Sequence, residues 1–202
     1  VEDTRRVVGL DTESWLIDRA LVAPPLVCMQ FTQEVAATER IDALSYPAAD
    51  ILHLRLDPDR DRARAIFEKW LKSAVILAIH NAAHELGCFF VEWPDLIEPM
   101  LDKLARGEIH CTVMRQKLLD CALGRLQDEG FTDEDYDLGS VAGAFGYEVD
   151  KSDPWRTRYA ELADVPVAFW PEEAVSYGRK DPIAAAVVWL GQEECDRQWV
   201  RA

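Results

Sequence analysis

The run Ala74-Val-Ile-Leu-Ala-Ile79 constrains this chain most, because it is apolar at every position and shows no alternation. A strand of that kind must be covered on both faces, which calls for a sheet with layers packed above and below it. Two further segments suit the same sheet. Arg6 to Asp11 (RVVGLD) reads as a short buried strand and Leu26 to Thr32 (LVCMQFT) as a second, rich in β-branched and aromatic residues. Asp50 to Leu56 (DILHLRL) alternates like another strand. Between the strands, Ala63, Ile66, Phe67, Trp70 and Leu71 recur on one face of an amphipathic helix after the DPDRD turn. Asn81 is expected to cap a helix AAHELGCFFVEW that Pro94 closes. A helix over about Asp95 to Arg106, a short strand near Glu108 to Cys111, a helix from Thr112 and a small one after Asp137 follow. Pro171 opens a last long helix, which Pro182 is expected to kink or restart. Strands first and alternating helices afterwards make an α/β or α+β layer architecture with one central mixed sheet.

At 202 residues the chain has room for one full core and too little for two ordinary domains, so 1–202 reads as a single domain. No stretch approaches the roughly 18 unbroken apolar residues of a membrane span, and the N-terminus lacks a secretory apolar region. A soluble, intracellular, cytoplasmic protein is expected. Cys28, Cys88, Cys111, Cys121 and Cys195 have neither paired nor metal-ligand spacing, so they read as reduced. The start at Val1, without methionine, suits a piece cut from a larger protein or a processed N-terminus.

A net charge of −15 repels polyanions at long range. A nuclease that uses divalent ions must nevertheless gather carboxylates, and then needs only a local cationic strip. Lys151, Arg156, Arg158, Arg179 and Lys180 are the candidates for it, although each also reads as ordinary solvated charge. The acidic stretch LQDEGFTDEDYD reads as solvated loop.

Three places carry chemistry. Asp11 and Glu13 alternate at the end of the first strand, so both point to one face and can reach one metal. Tyr177 and Asp181 stand at i, i+4 on a helix, where a phenol and a carboxylate converge on one water. Glu85, in Asn81-Ala-Ala-His-Glu85, opens a helix directly after a buried strand. It also suits the helix dipole there, and His84 is not read as a ligand. Taken singly, the two pairs read more readily as structural than as functional, and Glu85 could simply favour the helix dipole.

In order, DTE, HNAAHE and YGRKD resemble the three motifs of the DEDD superfamily of 3′-5′ exonucleases, in its tyrosine subtype. The stretch DLGSVAGAFGYEVDKSDPWRTRYAEL before WPEEAVSYGRKD is similar to proofreading domains of phage-type family A DNA polymerases. The resemblance spans Val7 to about Trp189 and implies a ribonuclease H-like sheet. It further implies hydrolysis of DNA from its 3′ end to nucleoside monophosphates, with two Mg²⁺ or Mn²⁺ ions about 3.5 to 4 Å apart. On that likeness Asp11 bridges both ions, Glu13 and Asp181 hold the one that binds the attacking water, and Glu85 supports the other. Tyr177 orients the water, Asn81 holds the terminal nucleotide, and Leu16 or Ile17 wedges against its base. Arg156 and Arg158 would meet the strand. The implied partners are a single-stranded DNA 3′ end and a polymerase domain, fused or separate. One departure is clear: Glu85 and His84 stand where the family has aspartate and an aromatic. The longer side chain predicts a preference for Mn²⁺, since Mg²⁺ tolerates displaced ligands poorly. An RNase D-like RNA exonuclease shares the same carboxylates, and a non-catalytic nuclease-like binding module would share the fold.

Overall fold

The computed structural model describes residues 3–17, 23–39, 45–125, 132–150 and 152–201. A six-stranded mixed sheet forms the middle layer. Its strands are β1 (Arg6–Ser14), β2 (Leu26–Thr32), β3 (Val35–Ala36), β4 (Ala49–His53), β5 (Ile76–Ile79) and β6 (Ile109–Cys111). The order across the sheet is β4-β2-β1-β5-β6, with β3 pairing the start of β1. β2 runs antiparallel to both β1 and β4, while β5 and β6 run parallel to β1. The expected buried strand AVILAI is β5, flanked on both sides and buried at all its positions.

Alternation along β1 sends Val8 and Leu10 to one face and Val7 and Gly9 to the other. On the Val8 face lie α1 (Asp59–Lys72), α2 (Ala82–Glu92) and α3 (Ile97–Ala105), whose Phe67, Trp70, Phe89 and Met100 join Leu10, Met29 and Leu77 in the main core. The stacked rings of Phe67 and Phe89, 4.5 Å between centroids, bind α1 to α2. The opposite face is covered by α6 (Glu172–Arg201). Its buried Ala184, Ala185 and Ala186 let it approach the sheet closely. Gly9 is the matching gap on β1: a Cβ there would sit 1.9 Å from the carbonyl oxygen of Pro182. α4 (Thr112–Ala122) and α5 (Leu138–Ala144) pack beside α6, with Asp137 accepting from the Ser140 amide as the N-cap of α5.

Several boundaries differ from the sequence expectation. β1 continues through Asp11 to Ser14, so the first two carboxylates lie within a paired strand, with a register shift just after Glu13. Pro182 neither ends nor restarts α6, which runs helical through it. The missing N–H costs one helical bond, and burial of the small-residue face on both sides of Pro182 offsets that loss. Asn81 occupies the cap position of α2 but in left-handed backbone geometry (φ 59°), with no side-chain capping bond. Between Asp150 and α6 the described residues hold three 3-10 turns, Pro154–Thr157, Tyr159–Leu162 and Val167–Phe169, and the buried Tyr159 hydroxyl donates to the Ala174 carbonyl on α6 over 2.6 Å. No helix among the described residues is long and apolar enough to cross a membrane.

Candidate metal and nucleic-acid site

Asp11 and Glu13 fall on the α6 face of β1, with the parity of Val7 and Gly9. The close contact at Gly9 brings the first turns of α6 over that face and delivers Asp181 to the same spot. One carboxylate oxygen from each of Asp11, Glu13 and Asp181 lies within 4.8 Å of the others. Asp11 and Glu13 are half-buried and Asp181 is buried. Three negative groups at this separation repel one another strongly in a partly dry setting, and a divalent cation is the partner that would relieve them.

The field of the three carboxylates is felt by the groups around them. Tyr177 lies one turn before Asp181, is 2% exposed, and places its hydroxyl 3.5 Å from Asp181 Oδ2. Burial raises its pKa well above that of an ordinary phenol, and the charges of Asp181, Glu13 and Asp11 add to the rise while Arg156 opposes it. Cys28, paired across from Glu13, has its thiol pushed up by burial and by the same two β1 carboxylates.

Glu85 comes from the first turn of α2, on the other face of the sheet. It is 5% exposed and accepts a hydrogen bond from the Thr12 hydroxyl, the residue between Asp11 and Glu13. Burial lifts Glu85 above the ordinary carboxylate range, the Thr12 bond opposes the rise, and the charge of Asp181 adds to it. Glu85 thus stands near Asp181 and outside the group of three.

A cleft of about 580 Å³ opens over Asp11 and Asp181. Asn81 and Arg156 line it, as do His80, Met114, Lys117 and Tyr136. His80 bridges Thr112 Oγ1 at 2.9 Å and the Tyr136 carbonyl at 3.0 Å, tying β5 to the cleft wall. Arg158 is directed elsewhere: its guanidinium donates to both oxygens of Glu161 and lies 4.5 Å over the Trp155 ring. Leu16 and Ile17, 64% and 70% exposed, follow β1 and are not among the cleft-lining residues. Arg179 is exposed and Lys180 half-buried on α6, whereas Lys151 lies outside the described residues.

The structure therefore gathers Asp11, Glu13, Tyr177 and Asp181 at one point, with Asn81 and Arg156 on the adjoining cleft. Thr12, His80 and Lys117 were not legible as site residues. Thr12 was hidden between two more conspicuous carboxylates, and its only signal was the inward parity opposite theirs. Lys117 carried none, since a helical lysine is ordinarily solvated. Gln30 was also missed: it is fully buried opposite Asp11, and its Oε1 has no hydrogen-bond partner among the described residues. Comparisons with protein-family models, with curated proteins and with solved structures find no match to this chain.

Proposed function

We propose that this chain is a divalent-metal-dependent 3′-5′ exonuclease of the DEDD kind, tyrosine subtype, acting on the 3′ end of single-stranded DNA. The convergence of Asp11, Glu13 and Asp181 within 4.8 Å, with Tyr177 one helical turn from Asp181, carries this reading. A mixed sheet of order β4-β2-β1-β5-β6 with β2 alone reversed along that path supports a ribonuclease H-like fold for it.

The donor set fits Mg²⁺ or Mn²⁺, because it consists of hard carboxylate oxygens with no nitrogen or sulfur ligand. Asp11, Glu13 and Asp181 would hold the first ion, and Glu85, which accepts from the Thr12 hydroxyl, would support a second. Bound there, the ions would activate a water at neutral pH and stabilise the leaving 3′ oxygen. Burial, with the nearby carboxylates, raises the Tyr177 pKa above that of an ordinary phenol, so in this reading it serves as a neutral hydrogen-bond donor that orients the water or phosphate. Arg156, which lines the cleft with Asp11 and Asp181, would meet the anionic backbone, and Asn81 the terminal nucleotide.

The test is incubation of end-labelled single-stranded DNA and RNA with Mg²⁺, Mn²⁺ or EDTA. Stepwise shortening of DNA from the 3′ end, abolished by EDTA and by Asp11→Ala in a folded protein, is expected. Faster shortening of RNA would move the substrate to the RNase D-like reading. No cleavage with either ion would overturn the enzymatic reading.

A further inference from the structure

Gln30 lies in the middle of β2, fully buried, and the strand register places it directly across from Asp11. Residues paired in this way share a face of the sheet, with Cβ atoms roughly 4.5–5.5 Å apart. Gln30 therefore stands under α6 with the carboxylates, and not in the core beneath α1 and α2. Cys28, its neighbour on that face, is paired with Glu13 in the same way. α6 closes over the amide: a Cβ at Gly178 would sit 2.8 Å from Gln30 Nε2 and 2.6 Å from the Tyr159 hydroxyl. Gly178 follows Tyr177 directly and lies within one helical turn of Asp181.

The fold alone makes poor use of this amide. Nε2 reaches only the Cys28 sulfur, a weak acceptor, at 3.5 Å, and Oε1 has no hydrogen-bond partner among the described residues. The Tyr159 hydroxyl does not serve it, since it donates to the Ala174 carbonyl at 2.6 Å. A buried amide in this state destabilises the folded chain, and an apolar side chain of the same shape would not. Such a group points to a use outside the stability of the fold.

Resting on the metal site of the exonuclease reading, we infer that Gln30 is the positioning residue of Asp11, its amide N–H donating to the carboxylate oxygen that an ion leaves free. A half-turn about the last side-chain bond exchanges the two ends of the amide, so that Oε1 accepts from the Cys28 thiol while the N–H end serves Asp11. Carboxylates that ligate a metal are held by hydrogen-bonding partners of this kind, whose loss lowers metal affinity about 10- to 100-fold. Glu85 has its own such partner in the Thr12 hydroxyl.

The experiment measures Mn²⁺ binding by titration calorimetry on protein free of nucleic acid, with the melting temperature of each metal-free variant alongside. Gln30→Met keeps the length and removes the amide. Its Mn²⁺ Kd should rise about 10- to 100-fold, while its metal-free melting temperature holds or rises. Gln30→Asn withdraws the amide by one methylene and should also bind Mn²⁺ more weakly, which keeps the test decisive should the methionine variant fail to fold. Gln192→Met is the comparison, because Gln192 is also fully buried with an unpartnered Oε1 but lies about 16 Å along α6 from Asp181. Its Nε2 donates to the Thr112 carbonyl, so Gln192→Met should melt lower and keep the parental Kd. A parental Kd in either folded Gln30 variant, or an equal loss in Gln192→Met, overturns the assignment. A parent that binds no Mn²⁺ removes the metal site and the role of Gln30 together. Hydrolysis is scored separately: the expected Kd shifts without cleavage of DNA or RNA would sink the exonuclease reading and leave Gln30 in place.

Discussion

Tyr177 shows how much a single residue's role depends on its surroundings. Its spacing from Asp181 was visible in the sequence, but its fully protonated character follows from burial beside three carboxylates. Tyr177→Phe keeps the ring against Tyr159 and deletes one donor, so turnover should fall roughly 10²- to 10³-fold with the melting temperature little changed. A lowered melting temperature with unchanged turnover would make it a packing residue only. His110 offers a pH test at the same scale. The Trp189 indole N–H donates to its Nδ1 at 3.1 Å, so Nε2 carries the proton and donates to the Gly107 carbonyl at 2.9 Å. Burial, with Arg115 and Arg5 nearby, lowers its pKa below 6.5, although the Gly107 bond and Glu193 oppose the shift. The folded state therefore resists protonation more than the unfolded chain does, and the stabilisation is present above pH 6.5 and lost as pH falls through the folded pKa. In urea unfolding, the stability gap between parent and His110→Gln should be widest near pH 7.5 and narrow towards pH 5. A constant gap would refute the protonation argument.

Among the elements, the contact of β1 with α6 governs the site, since one carries Asp11 and Glu13 and the other Asp181. Gly9→Ala would drive a methyl into the Pro182 backbone, which cannot yield as a flexible side chain could. Overpacking of this kind costs about 1–3 kcal/mol, sometimes more, and here it would also spread the carboxylates. Gly87→Ala in α2 is the matched comparison. A Cβ there meets nothing within 4 Å, so the helix should gain about 0.5–1 kcal/mol. Urea midpoints for the two variants should move in opposite directions, and a tolerated Gly9→Ala would show that the two elements are not held so closely. Gly9 was legible only as one residue of an apolar strand, because nothing local marks the element that will cross it.

For the whole molecule, three carboxylates of a chain with net charge −15 approach within 4.8 Å of one another, and an ion bound among them would offset their mutual repulsion. An ion bound to the folded state alone at about 100 times its Kd adds about 2.7 kcal/mol. For a chain of this length that corresponds to a rise of about 5 to 10 °C in melting temperature. Mn²⁺ should produce the rise in the parent, EDTA should reverse it, and Asp181→Asn should be more stable than the parent without metal and gain less from it. A melting temperature indifferent to Mn²⁺ would remove the metal from the account.

The sequence by itself determined what is local. The apolar run of β5, the extent of β2, the buried face of α1, the parity of Asp11 with Glu13 and the helical turn from Tyr177 to Asp181 all follow from period 2 or period 3.6. Periodicity states which side of an element is buried; it does not state against what. Only the tertiary structure decided that β2 runs against its neighbours, that α6 continues through Pro182, that Glu85 is engaged by Thr12, and that Lys117 lies over the Tyr136 ring. Each depends on residues far apart in the chain, 73 positions for Thr12 and Glu85, and such pairs are selected by packing of the whole core rather than by any neighbouring residue.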